Sequence, residues 1–148
     1  MKGIYVSIFL LLSICVSAQQ PVNWSYSTRK VSDKVYEIRL TATINSPWHI
    51  YSQTTPDGGP VKTSFVFSKN PLVALVDSPK EEGKLIQKHE DVFDVDVKYY
   101  ENKVVFVQKV QLKAKVKTNI SGTVEYMVCN NQQCMPPKKE TFSIAIND

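Results

Sequence analysis

Five segments of this chain alternate apolar and polar residues with a period of two, and turn-forming residues interrupt the sequence between them. They are 35–42 (Val-Tyr-Glu-Ile-Arg-Leu-Thr-Ala), 63–67, 104–112, 123–128 and 141–146. Successive side chains of a strand point to opposite faces, so this pattern makes strands with one dry and one wet face. Pro47, Asp57-Gly58-Gly59-Pro60, Asn70-Pro71, Ser78-Pro79, residues 119–122 and Pro136-Pro137 read as the turns. Helical periodicity is weak everywhere after residue 18. Many short strands spaced by turns predict an all-β chain, an antiparallel β-sandwich of immunoglobulin-like form. There is no internal repeat, low-complexity tract or linker, so residues 19–148 are expected to form one domain.

Residues 1–18 read as a cleavable secretory signal, with a basic start at Met1-Lys2, an apolar run over 4–12 and small residues at Val16-Ser17-Ala18. The mature chain is then expected to begin at Gln19. Cys15 falls in the removed segment, and the large Ile14 before it argues against lipoprotein-type cleavage there. No later stretch approaches the roughly 18 apolar residues a membrane helix needs, so the mature chain is expected to have no membrane span. The formal net charge is +4, and loss of Lys2 with the signal leaves +3. Basic residues are dispersed, and the one alternating set, Lys113, Lys115 and Lys117, reads as a solvated edge that resists aggregation. Nucleic acid is therefore not an expected partner.

Export leaves two cysteines, Cys129 and Cys134, in the run Cys129-Asn130-Asn131-Gln132-Gln133-Cys134-Met135-Pro136-Pro137. A bridge needs Cα atoms roughly 5.5 Å apart, whereas five extended steps cover about 17 Å, so the chain must turn between them. The two asparagines favour that turn. Val124, Tyr126 and Val128 share a strand face that runs into Cys129, and Pro136-Pro137 delays the return strand, which places the pair at an accessible hairpin tip.

Spacing alone leaves two uses of the pair open. A static disulfide is the common fate of two cysteines in a secreted protein. Closing so small a loop stabilises by only about 2 kcal/mol, against nearly 5 for a loop of a hundred residues, which makes it a weak staple. Exchange with an external thiolate needs an accessible sulfur, which a hairpin tip supplies. A Cys-x-x-Cys at a helix start, the thioredoxin arrangement, is absent.

The remaining candidates have plainer readings. His49 and His89 could join Cys129, Cys134 and Met135 as soft metal ligands, but their spacing is not that of a zinc site, and no metal is expected. Trp24 and Trp48 read as core or rim aromatics, and Asn23-Trp24-Ser25 and Asn119-Ile120-Ser121 as chance glycosylation triplets. Ser, His and Asp form no triad signature.

Over roughly residues 24–146 the chain resembles the N-terminal periplasmic domain of the DsbD thiol:disulfide interchange proteins, the disulfide bond corrector domain. The likeness rests on the two nearby cysteines followed by Met135-Pro136-Pro137 and a last short strand. It also rests on His89-Glu90-Asp91-Val92-Phe93, which looks like the family's cap loop, and on Pro47-Trp48-His49-Ile50-Tyr51, which looks like its aromatic strand. The resemblance implies an immunoglobulin-like sandwich that carries reducing equivalents from a membrane electron conduit to periplasmic thioredoxin-like proteins, including those of cytochrome c maturation, with no cofactor. It implies that Cys134 forms mixed disulfides with partners, that Cys129 resolves them, and that Phe93 caps the pair. Asp91 matches a cap-loop carboxylate that would disfavour a nearby thiolate, and His49 and Tyr51 match positions flanking the pocket. Four residues separate the cysteines, one fewer than in the family's familiar version, and Val92 and Asp94 replace its polar and aromatic neighbours of the cap phenylalanine. The electron conduit is expected to be a separate protein. The competing expectation is a non-catalytic secreted binding domain whose bridge only rigidifies a hairpin loop.

Overall fold

The computed structural model describes residues 20–91 and 93–147. Eleven strands follow one another, with no helix among the described residues: β1 (Val22–Ser32), β2 (Val35–Ile44), β3 (His49–Tyr51), β4 (Ser64–Phe67), β5 (Val73–Gly83), β6 (Ile86–Glu90), β7 (Val95–Glu101), β8 (Lys103–Leu112), β9 (Thr118–Tyr126), β10 (Val128–Cys129) and β11 (Lys138–Ile146). All pairings are antiparallel, in sheets ordered β1-β2-β8-β5, β10-β3-β7-β6 and β11-β9-β4.

Period-two alternation builds the main core. Tyr36, Ile38, Leu40, Ala42 and Ile44 of β2 are buried in strict alternation, and Val104, Phe106, Val110 and Leu112 of β8 join them. Ile120, Val124 and Tyr126 of β9, Phe142, Ile144 and Ile146 of β11, and Ile50, Tyr100 and Val128 complete the cluster. The first sheet is thus one layer, and the other two sheets supply the residues that face it. Trp24 fills the middle, edge-on to Phe65 and Tyr126 with ring centroids 6.2 and 5.5 Å away. The packing makes Trp24 and Trp48 core-side aromatics.

Two expected turns are strand instead. Residues 119–122 lie inside β9, because Gly122 marks a close approach rather than a reversal: a Cβ there would stand 2.5 Å from the Val66 carbonyl oxygen and 2.7 Å from Phe142 Cζ. Ser78-Pro79 lies inside β5 at a bulge, where the register with β8 slips between Val76 and Lys80 and Asp77 has φ 58°. An edge strand tolerates proline at a bulge. Buried Gln108 of β8 supports it, its Nε2 donating to the carbonyls of Val76 (3.1 Å) and Asp77 (3.2 Å).

The strand after residue 123 also divides. β9 ends at Tyr126 and pairs with β11, whereas β10 pairs with β3 in another sheet. Among the described residues no helix is long and apolar enough to cross a membrane. The signal expected at 1–18 lies outside the described residues.

Candidate functional site

β3 is only three residues long, yet all three are buried. It is flanked on both sides: Val128↔Ile50 and Cys129↔His49 toward β10, and His49↔Glu101, Ile50↔Tyr100 and Tyr51↔Tyr99 toward β7. Residues directly opposite each other share a sheet face. Ile50, Tyr100 and Val128 therefore face the main core, while Cys129, His49, Glu101, Tyr51 and Tyr99 share the other side. Lys88 and Glu90 of β6, paired with Val97 and Val95, extend that same side. Tyr51, Val97 and Cys129, with Val95, Tyr99 and Met127 against them, form a second small cluster there.

Hydrogen bonds hold this short strand in place. Glu81 accepts from Ser52 Oγ, the Gln53 backbone N–H and the Tyr100 hydroxyl, each at 2.7 Å. Thr63 Oγ1 donates to the Tyr51 carbonyl at 2.6 Å. The 57–60 loop seats against the tip of the β6–β7 hairpin, close enough that a Cβ on Gly59 would lie 2.9 Å from Val95 Cγ2.

The turn between the cysteines is made by one asparagine. Asn130 Oδ1 accepts from the backbone N–H groups of Gln132 and Gln133, both at 2.8 Å, and the Asn130 N–H donates to the Gln133 carbonyl at 2.9 Å. Cys129 and Cys134 are disulfide-bonded with Cα atoms 4.0 Å apart. Their environments differ: Cys129 is 1% exposed, and Cys134 is open to solvent. The tip is thus less uniformly accessible than the sequence predicted, because β10 tucks its cysteine against β3.

A cleft of about 280 Å³ opens over the pair, lined by His49, Tyr51, Lys88, Glu90, Phe93, Cys129, Cys134 and residues 130–133. Phe93 is 43% exposed at the edge of this cleft. Its N–H donates to the Glu90 carbonyl at 3.1 Å, closing the turn at the hairpin tip, and Asp94 follows with φ 52°. Asp91 does not line the cleft. It is fully exposed, and its carboxylate stands 3.8 Å from His89 Nε2. His89 Nδ1 meets Asp96 Oδ1 at 2.9 Å, and Asp94 lies 3.5 Å from Nε2. The Asp96 hydrogen bond, more than any other cause, lifts the His89 pKa above its ordinary value.

His49 behaves in the opposite way. Its ring lies tilted against Tyr99, with centroids 4.4 Å apart, and meets Tyr51 edge-on at 5.3 Å, with Nε2 3.2 Å from the Tyr51 hydroxyl. Burial holds its pKa below the usual histidine value, opposed in part by Glu101 and Glu90 and assisted by Lys88. Burial, with Glu90 and Tyr99 adding to it, pushes the Tyr51 hydroxyl up to about 12. Among the described residues no group of three or more His, Cys, Asp or Glu is placed to hold a metal ion. A larger apolar cleft of about 430 Å³, lined by residues including Phe67, Pro71, Leu75 and Ile120, shares no residue with this one.

Five of the six residues singled out in the sequence therefore meet around one cleft, and Asp91 stands beside it. Tyr99 and Lys88 escaped notice, and Glu90 was named only as part of the cap-loop segment. Alternation over Val95, Val97, Tyr99 and Glu101 was the available signal for Tyr99, but charges on both faces of the segment obscured it.

These features define a class: an antiparallel β-sandwich with a disulfide of unequal exposure at the edge of one sheet, set in an aromatic cleft. The family described as thiol:disulfide interchange protein DsbD, N-terminal, matches residues 18–146, and the chain belongs to it. Among solved structures it is similar to the N-terminal periplasmic domain of ScsB from Proteus mirabilis, with TM-score 0.60 and 15% identity, covering 90% of this chain and 49% of that one. The chain thus spans about half the length of that structure. It is also similar to the Neisseria meningitidis DsbD N-terminal domain in the reduced form, with TM-score 0.53 and 16% identity over 84% of this chain and 86% of that one. Likeness at this level of identity carries the fold, which is immunoglobulin-like. No curated protein sequence matches the chain.

Proposed function

We propose that this chain is a periplasmic thiol:disulfide interchange module that relays two electrons through Cys129 and Cys134 to or from thioredoxin-like proteins. The observation that carries the reading is the unequal exposure of the two sulfurs inside one cleft. In the reducing direction the Cys134 thiolate attacks a partner disulfide, forming a mixed disulfide and releasing one partner thiolate. The Cys129 thiolate then attacks Cys134 Sγ, the bond to the partner breaks, and the second partner thiolate leaves with the electron pair. This dithiol ends as a disulfide, the partner disulfide as a dithiol, and two protons accompany the two electrons.

Unequal exposure supports this order, since Cys134 is open to a partner while Cys129 is 1% exposed. Phe93 at the cleft edge caps the pair against stray oxidants and moves aside for a partner. His49 and Tyr51 wall the cleft, and Asp91 acts through the cap loop rather than on the sulfurs. Residues 1–18 direct export, 19–148 form the exchanging domain, and in the reducing direction a membrane electron conduit supplies the electrons.

The test is the equilibrium reduction potential of the pair in glutathione or dithiothreitol buffers, read by thiol alkylation. A value between roughly −180 and −270 mV is expected, the range of exchange proteins. A value below about −300 mV would identify a structural bridge and replace this reading with a binding domain stiffened by a disulfide.

A further inference from the structure

Resolution of the mixed disulfide sets Cys129 a difficulty that Cys134 does not share. Its sulfur must become a thiolate to attack, yet in the disulfide-bonded protein it is only 1% exposed at the wall of the cleft, so water has restricted access to its proton. A neighbouring acceptor is needed, and the pairing of β3 with β10 puts one directly opposite. Cys129 and His49 are cross-strand partners, a relation that brings Cβ atoms to roughly 5 Å on one sheet face. Both line the same cleft, and His49 is itself only 6% exposed.

We propose that His49 is the proton acceptor for the Cys129 thiol in the resolving step, and returns that proton to the departing partner thiolate. The inference rests on the relay reading and assigns a role within it. His49 Nε2 lies 3.2 Å from the Tyr51 hydroxyl oxygen, and in the tautomer whose Nε2–H donates to that oxygen, Nδ1 presents its lone pair to take a proton. The groups around the ring suit a neutral base. Tyr51 lies on its own strand, Tyr99 and Glu101 on β7, Lys88 and Glu90 on β6, and Cys129 on β10. Burial favours the neutral ring at neutral pH, so it starts as an acceptor. Glu101 and Glu90 then favour the imidazolium once it has formed.

The balance is simple. The S–H bond of Cys129 breaks, its proton moves to His49, and the thiolate forms the bond to Cys134 Sγ. The partner sulfur departs with the electrons of the broken S–S bond and receives the proton.

Reaction of the fully reduced protein with dithiobis(nitrobenzoate) separates the two steps, because each releases one coloured nitrothiobenzoate. The first release reports attack by Cys134, and the second reports resolution by Cys129. In His49→Ala the second phase is expected to slow, relative to the first, by about a hundredfold or more at neutral pH, the low end of general-base effects. The deficit is expected to close at alkaline pH, where hydroxide takes the proton, and added imidazole is expected to restore part of the rate. His49→Gln, which keeps a polar side chain of similar reach, is expected to show the same pH-dependent deficit, which guards against a packing defect in the alanine variant. A second phase unchanged in both variants, or slowed equally at every pH without imidazole rescue, would overturn the assignment and leave the relay intact. Release of only one nitrothiobenzoate per wild-type molecule would instead overturn the relay, and this inference with it.

Discussion

Ile50 and Tyr51 are adjacent on one strand, both almost completely buried, and they point into interiors of different kinds. Ile50 enters the main core, where Ile38, Leu40, Phe106 and Val124 present only hydrocarbon or aromatic surface. Tyr51 enters the small cluster on the other side of the same sheet, among His49, Tyr99, a disulfide and the ends of Lys88 and Glu90. In the first interior, burial removes apolar area from water and stabilises the fold by about 25 cal/mol per Å². In the second, burial excludes water from polar and titratable groups, which contributes less to stability but governs which protonation states are reached. One sheet thus separates a face that holds the protein together from a face equipped for thiol chemistry.

The strongest way to test that division is to damage one side and read the other. Phe106→Ala removes a fully buried ring at the centre of the main core and is expected to destabilise by about 3–5 kcal/mol. Denaturant titration measures that loss, and the rate of thiol exchange per folded molecule is expected to stay at the wild-type value. A large change in exchange rate at unchanged folded fraction would mean that the two faces are coupled.

The reverse experiment has a smaller effect on stability. Replacing both cysteines, Cys129→Ser with Cys134→Ser, opens a loop with sequence separation 5 and is expected to cost at most about 2 kcal/mol, while exchange disappears. Loss of folding in this variant would show that the bridge supports the sandwich, contrary to the comparison.

The same division explains what could be read from the sequence. Segment 35–42 announces β2 (Val35–Ile44) because one of its faces is deeply buried and the other less so, giving a clean alternation. β6 carries Lys88 and Glu90 on one side and His89 on the other, so no period stands out there, and although β7 alternates Val95, Val97 and Tyr99 with Asp96 and Lys98, the pairing of these strands with each other and with β3 depends on tertiary contacts. Gly122 and Pro79 were legible as punctuation, but a close approach and a bulge use the same residues as a turn does. The cysteine turn was visible in Asn130, and the unequal burial of the two sulfurs was not. That inequality comes from the switch of β10 onto β3, a decision made between sheets rather than along the chain. The meeting of His49, Tyr51, Phe93 and the two cysteines rested on resemblance to a family, since nothing local links residues so distant in sequence.

The two histidines give the finest test, because they sit on the two kinds of surface and carry opposite signs. Burial lowers the His49 pKa from 6.5, so its contribution to stability is complete above about pH 6.5 and is lost as pH falls through the folded value. The hydrogen bond to Asp96 raises the His89 pKa from 6.5, so its contribution is complete below about pH 6.5 and is lost as pH rises through the folded value. Denaturant titrations at a series of pH values are expected to show that His49→Gln removes the acid-side fall of the wild-type curve and His89→Gln the alkaline-side fall. The His89 effect is expected to be the smaller, since its ring and all three facing carboxylates are exposed. Salt sharpens the distinction. At 1 M ionic strength the screening length is about 3 Å, which flattens the solvent-exposed His89 flank and leaves the desolvated His49 flank in place. If both flanks collapsed together in salt, His49 would be responding to surface charge rather than to burial, and the outer face of this sheet would not be an interior at all.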